Sequence, residues 1–200
     1  VSEFSDKQAN VALGYYLQEL LNDRKAASNA KSAKSKSKKS YMFNSPIFVI
    51  IEEAHVFIPK GEDARAKYWA TKIAREGRKF GLGLCVVSQR PRNIEPSILS
   101  QMGSLAVMKM VQEDDQHQIA SASESISRDL IAQLTSLNVG DAVLVGQWVN
   151  LPAIIHIDEM KGKVIGSDQN AVDQWTIAKK FEDENKGQAQ GTVQKDLLLD

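Results

Sequence analysis

"FVIIEEAH", residues 48–55, decides the fold. The run "IFVIIE" (47–52) is apolar up to its last residue and rich in β-branched side chains, which fits a strand covered on both faces, as in parallel sheets. It ends on two adjacent carboxylates, Glu52 and Glu53, followed by Ala54 and His55. Acids in that place either terminate a strand in solvent or stand ready to hold a metal ion and a water.

A second such run, "LGLCVVSQ" (82–89), follows at a distance that one helix fills. Between them, "DARAKYWATKIAREGRKFG" (63–81) carries Ala66, Trp69, Ala70, Ile73 and Ala74 at helical spacing, and Gly81 suits the stop. Strand, helix and strand form a βαβ unit, expected to cross over right-handed. Downstream, "PSILSQM" (96–102) reads as a short helix and "SLAVMKM" (104–110) as a third strand. Helices are expected over 113–123 and 127–137, the second with Ser127 as N-cap. "GDAVLVG" (140–146) and "LPAIIHI" (151–157) read as a hairpin. The pattern is α/β, a mostly parallel sheet with an antiparallel edge hairpin.

Upstream, "QANVALGYYLQELLNDRK" (8–25) reads as a helix despite Gly14, and Val11, Tyr15 and Leu20 are expected in the core with Trp69 and Ile73. "KSAKSKSKKS" (31–40) has no side chain able to anchor a core and reads as a mobile loop. Four regions result: a helical entry segment (1–24), a Lys/Ser-rich loop (25–45), the α/β region (46–158), and a C-terminal helix and tail (159–200). Trp148 and Trp175 are expected to pack in the core.

The 200 residues suffice for one domain with a real core, and 42% hydrophobic with 25% charged residues is ordinary for a globular chain. A formal net charge of zero favours neither nucleic acid nor acidic partners, so local charge has to decide. A single cysteine, Cys85, forbids an intrachain disulfide and fits a cytoplasmic setting. No apolar run approaches the roughly 20 residues of a membrane span. No signal peptide shows in residues 1–20. The chain opens on Val1, not Met, and its first helix starts almost at once, as expected of a piece of a larger protein.

Ligands of open parallel sheets gather at the carboxyl ends of the strands. Glu52-Glu53 ends the first strand and Ser88-Gln89 the second. One carboxylate there can bind Mg²⁺ through water, another can deprotonate an attacking water, and a glutamine can orient that water or a terminal phosphate. Equally, the acids can be a solvated strand end and Gln89 a loop residue bonded to local backbone. Arg75 and Arg78, three apart near a helix C-terminus, are either dipole partners or an arginine finger for a neighbouring subunit.

Three segments together, "FVIIEEAHVFIP", "IAREGRKFGLGLCVVSQRP" and "PSILSQMGSLAVMKMVQEDDQ", resemble the C-terminal part of HerA-type ATPases, over residues 46–158 and in the family's order. These are hexameric DNA translocases of archaea and some bacteria, related to FtsK. The resemblance implies a RecA-like P-loop NTPase core, ATP and Mg²⁺ as ligands, a homo-hexameric ring on double-stranded DNA, and a NurA-type nuclease partner in double-strand-break end resection. It assigns Glu53 as catalytic glutamate, Glu52 as the Mg²⁺ residue acting through water, and Gln89 as the sensor of the γ-phosphate. Arg78 becomes the finger acting in trans with Arg75 assisting, and His156 and Ile157 fall near the nucleotide base.

Two departures stand out. The first acid of the family's box is usually Asp, and here it is Glu52. No G-x-x-x-x-G-K-[ST] occurs in the chain, so the phosphate-cradling loop is expected on an upstream Walker A segment of the same protein. A non-catalytic assembly or nuclease-docking role for the chain alone is the alternative. A DEAH-box RNA helicase would carry S-A-T where Ser88-Gln89-Arg90-Pro91 stands, and a zincin needs H-E-x-x-H. In the lysine run, Lys34, Lys36, Lys38 and Lys39 are candidate DNA phosphate contacts, against the simpler reading of a solvated loop. Arg90 and Arg92 are candidate phosphate or subunit contacts.

Overall fold

The computed structural model describes residues 5–32, 41–123, 125–159, 175–177 and 179–180. Val1–Asp158 form one compact unit and Glu159–Asp200 another. In the second unit the described residues 175–177 and 179–180 are helical and exposed, so Trp175 is not the core residue that its size suggests.

The first unit holds two cores. Around the first lie α1 (Asp6–Ser32), β1 (Ile47–Ile51), α2 (Ala54–Phe57), α3 (Arg65–Glu76), β2 (Leu82–Val86) and α4 (Pro96–Leu99). The second gathers β3 (Ser104–Val107), α5 (Glu113–Ala122), α6 (Arg128–Gln133) and β4 (Asp141–Gly146), with β5 (Ala153–His156) paired alongside. Ser127 caps α6 as expected, its side chain accepting from the Leu130 N–H.

β1 and β2 pair in parallel from Ile47 opposite Leu82 to Ile51 opposite Val86, as the βαβ reading requires. The hairpin is also present: β4 runs antiparallel to β5. The single mostly parallel sheet is instead two sheets among the described residues. β3 pairs antiparallel with β4, and neither β3 nor β4 bonds to the parallel pair. β1 is covered on one face only, since Phe48 and Ile50 are 65% and 61% exposed while Ile51 is buried. Its apolar composition therefore exceeds what the described residues bury.

α1 is longer than expected and runs on through Ser32, into the segment assigned to the loop. The residues "KAASNAKS" are good or neutral helix formers and contain neither Gly nor Pro to stop it. Its buried stripe is Ala9, Leu17, Leu20, Leu21, Arg24 and Ala27, at the three- and four-residue spacing of one helix face. Val11 and Tyr15 stand about 200° round from that stripe and are exposed, so they leave the core list. Trp148 is likewise exposed. Gly14 has a structural reason, because a Cβ there would lie 2.6 Å from Arg65 Cγ where α1 meets the start of α3.

Candidate functional site

The two acids sit in a turn braced by one residue of the neighbouring strand. The Val87 N–H donates to the Ile51 carbonyl just before the acids, and the Ala54 N–H donates to the Val87 carbonyl just after them, both at 2.9 Å. Glu52 and Glu53 must bulge out between these fixed points. Glu53 does so at φ 48°, ψ 43°, the one non-glycine with positive φ among the described residues. A left-handed residue with a Cβ costs about 1–2 kcal/mol, a strain that persists only where the surroundings enforce it.

Around Glu53 the side chains form a closed set of contacts. Gln89 Nε2 donates to Glu53 Oε1 at 3.1 Å. His55 Nδ1 lies 3.3 Å from Glu53 Oε2 and 3.0 Å from Ser88 Oγ, and Ser88 Oγ accepts from the Arg90 N–H at 3.0 Å. The parallel register thus brings Glu53 and Gln89 into direct contact, as their places at adjacent strand ends suggested. Glu52 is exposed and has no hydrogen-bond or ion-pair partner among the described residues. Among those residues no three His, Cys, Asp or Glu side chains gather as a ready metal cage. One free carboxylate is still compatible with Mg²⁺, which keeps most of its waters and takes few protein ligands.

Arg78 does not share an α-helical face with Arg75. α3 ends at Glu76, and Gly77–Phe80 tighten into a 3-10 turn closed by Gly81 at φ 69°. Arg75 and Arg78 are exposed and without a polar partner among the described residues. The turn is held from below by a residue that sequence reading passed over. Arg24, 5% exposed, donates from Nε and Nη2 to the Phe80 carbonyl at 2.9 and 2.6 Å and from Nη1 to the Phe43 carbonyl at 3.0 Å. Its neighbours add to the clamp: Asp23 accepts from the Met42 and Phe43 N–H groups, and Lys25 pairs with Glu76 at 2.7 Å. The Lys25 ammonium, hydrogen-bonded to Glu76, holds that carboxyl below its usual range. Replacing Arg24 by Met keeps the buried stem but orphans two carbonyls, at about 1–3 kcal/mol each. Chemical denaturation of Arg24→Met is therefore expected to show a loss of about 3 kcal/mol.

The remaining predicted residues lie elsewhere. His156 and Ile157 stand at and just past the end of β5, in the other sheet, with no hydrogen bond or ion pair to the Glu53 group among the described residues. His156 is exposed and bonds to Asp141 Oδ1 at 2.8 Å through Nδ1. The His156 ring and the Asn138 N–H hold the Asp141 carboxyl below its usual range. Arg92 is engaged within the chain. Its N–H donates to buried Asp115 at 3.0 Å and its guanidinium to Gln112 at 2.8 Å, so it ties α5 to the Pro91 turn. Lys34, Lys36, Lys38 and Lys39 lie outside the described residues. No helix among the described residues is long and apolar enough to cross a membrane.

An α/β chain with a glutamate and a glutamine in contact at adjacent carboxyl ends of parallel strands belongs to the class whose ligands gather at that end of the sheet. Comparison with known proteins gives the family. The DNA double-strand break repair helicase HerA of Saccharolobus solfataricus is 40% identical over 186 residues, covering 93% of this chain and 35% of the relative. That of Sulfurisphaera tokodaii is 40% identical over 179 residues, 90% and 34% of the two chains. That of Pyrococcus furiosus is 44% identical over 143 residues, 68% and 26%. The chain belongs to the HerA family, and its match falls on the C-terminal part of those helicases. It spans about a third of the length of the first two relatives. No protein-family model matches it. Among solved structures, VirB4 of Thermoanaerobacter pseudethanolicus aligns over 58% of this chain and 32% of its own, with 15% identity and a TM-score of 0.49. The genome packaging NTPase B204 of Sulfolobus turreted icosahedral virus 2 aligns over 56% and 52%, with 16% identity and a TM-score of 0.46.

Proposed function

We propose that this chain is the catalytic-acid half of a RecA-like P-loop ATPase that, as the full-length protein, moves double-stranded DNA through a homo-hexameric ring during break-end resection. One contact carries the reading: Gln89 on Glu53 at 3.1 Å, across the ends of two parallel strands. A strained carboxylate gripped by a polar side chain from the next strand is more than a solvated terminus needs. The HerA relatives, named as double-strand break repair helicases, supply the biological setting.

Glu53 accepts the proton of the attacking water, and Gln89 orients that water against the terminal phosphate. Glu52 would hold Mg²⁺, which would neutralise charge on the phosphates. Arg78, free at the tip of its turn, reaches the neighbouring subunit's phosphate, with Arg75 beside it. His156 and Ile157 border the nucleotide base. The phosphate cradle comes from the upstream Walker A segment. Lys34, Lys36, Lys38 and Lys39 contact DNA phosphates, and a NurA-type nuclease is the partner in the cytoplasm. The 200-residue chain by itself is expected to be inactive, its role there being assembly. The exposed Phe48 and Ile50 face is an apolar surface available for that assembly.

Steady-state ATP hydrolysis tests the division of labour. The full-length protein should hydrolyse ATP and be stimulated by duplex DNA, and the isolated chain should show no turnover until a Walker A fragment is added. Turnover by the chain alone would overturn the split site.

A further inference from the structure

The His55 side chain is 14% exposed, and its ring nitrogen Nδ1 lies near two oxygens at once: Glu53 Oε2 at 3.3 Å and Ser88 Oγ at 3.0 Å. A carboxylate can only accept, so an unprotonated Nδ1 in this place would set its lone pair against the Oε2 lone pairs. A hydrogen on Nδ1 is the tautomer that fits both neighbours, directed to Ser88 Oγ at 3.0 Å with Glu53 Oε2 3.3 Å away. Ser88 is compatible with that arrangement. Its oxygen accepts from Nδ1 and from the Arg90 N–H, which uses its two lone pairs. The Arg90 bond in turn fixes Ser88 to the start of the Pro91 turn, so the serine is a pinned anchor for the imidazole.

The two oxygens of Glu53 are thus treated differently. Oε2 faces His55, which is mostly covered and anchored. Oε1 faces Gln89, which is exposed and whose side chain has no other hydrogen bond among the described residues. Only one of the two partners is free to leave.

We propose that His55, steadied by Ser88, is a positioning residue for Glu53. Its Nδ1–H keeps hold of Oε2 while Gln89 turns away to the terminal phosphate. Oε1 is then released, already aimed, as the oxygen that takes the proton from water. This rests on Glu53 being the catalytic base as read above. Without His55 the carboxylate rotates about its last bonds from a strained backbone, and the fraction of time in which Oε1 faces the water falls. A misplaced base loses rate without losing substrate affinity.

The test is ATP hydrolysis by the full-length assembled protein. His55→Ala should lower kcat about tenfold or more and leave KM within about threefold. His55→Asn, whose amide N–H falls where Nδ1–H lies, should recover most of the rate, and His55→Gln, which reaches past that point, should not. Single-turnover measurements on Glu53→Gln should show no further loss on adding His55→Ala, because the two act through one carboxylate. A wild-type kcat in His55→Ala, an Asn variant as slow as Ala, or an independent loss in the double variant would each overturn the inference. If Glu53→Gln itself turns over at the wild-type rate, the base assignment fails instead, and the two failures are distinct.

Discussion

In rings assembled from Glu53→Gln and Arg78→Ala subunits, each inactive alone, ATP hydrolysis reappears. The expectation follows from where Arg78 stands. It sits in a 3-10 turn between α3 and β2, exposed and unpaired among the described residues, while Glu53 and Gln89 lie past the opposite end of β2. A guanidinium at the start of a five-residue strand cannot serve a phosphate bound at its far end, some 16 Å away at strand rise. It can serve a site that a neighbouring subunit brings against the turn. An arginine supplied in trans is worth about 10³–10⁵ in rate where it has been measured in other phosphoryl-transfer enzymes. Homogeneous Arg78→Ala rings should therefore lose at least about a thousandfold, with nucleotide binding nearly unchanged. In the mixed rings an Arg78→Ala subunit keeps its own Glu53 and draws an intact Arg78 from a Glu53→Gln neighbour, which completes one site. Mixed rings as inactive as either parent would mean that Arg78 does not act across the subunit boundary.

The clamp beneath this turn gives a graded control. Arg24→Met leaves Arg78 itself intact but loosens the Phe80 carbonyl that anchors the turn. It should lower both stability and the trans contribution, where Arg78→Ala lowers only the second.

Sequence carried the parallel pair and the meeting of its ends a long way. Ile47–Ile51 is legible as a β-branched run and Leu82–Val86 as a short apolar one, and the helix between them forces parallel pairing. The contact between Glu53 and Gln89 follows from the same register. The left-handed backbone of Glu53 was not legible. It comes from Val87 gripping both sides of the turn, a contact between residues more than thirty positions apart. Arg24 was invisible for a related reason. In "NDRK" it looks like any surface charge, and only the approach of Phe43 and Phe80 makes it a buried donor. Val11 and Tyr15 were misplaced because α1 carries apolar side chains on opposite faces, and only its packing decides which face is buried. Trp148 shows that size alone does not bury a side chain.

The second large effect is at Glu53. Glu53→Gln keeps the size and most of the hydrogen-bonding shape of the side chain but cannot accept a proton from water. General-base catalysis contributes about 10²–10⁴ in rate, so turnover should fall by at least about a hundredfold. The left-handed turn and the Val87 braces do not depend on the charge, and the fold should survive. Gln89 can still donate to the amide oxygen, so nucleotide affinity should change little. This combination separates a catalytic acid from a structural one, which would lose stability or binding along with rate.

The most direct measurement is a single turnover. Full-length Glu53→Gln protein is loaded with radiolabelled ATP and Mg²⁺, freed of excess nucleotide, and sampled for ADP over time beside the wild type. The account predicts that both proteins bind ATP to the same extent and that only the wild type converts it on the time scale of its turnover. Conversion by Glu53→Gln at the wild-type rate would contradict it, and "EEAH" would then be no more than the solvated end of a strand.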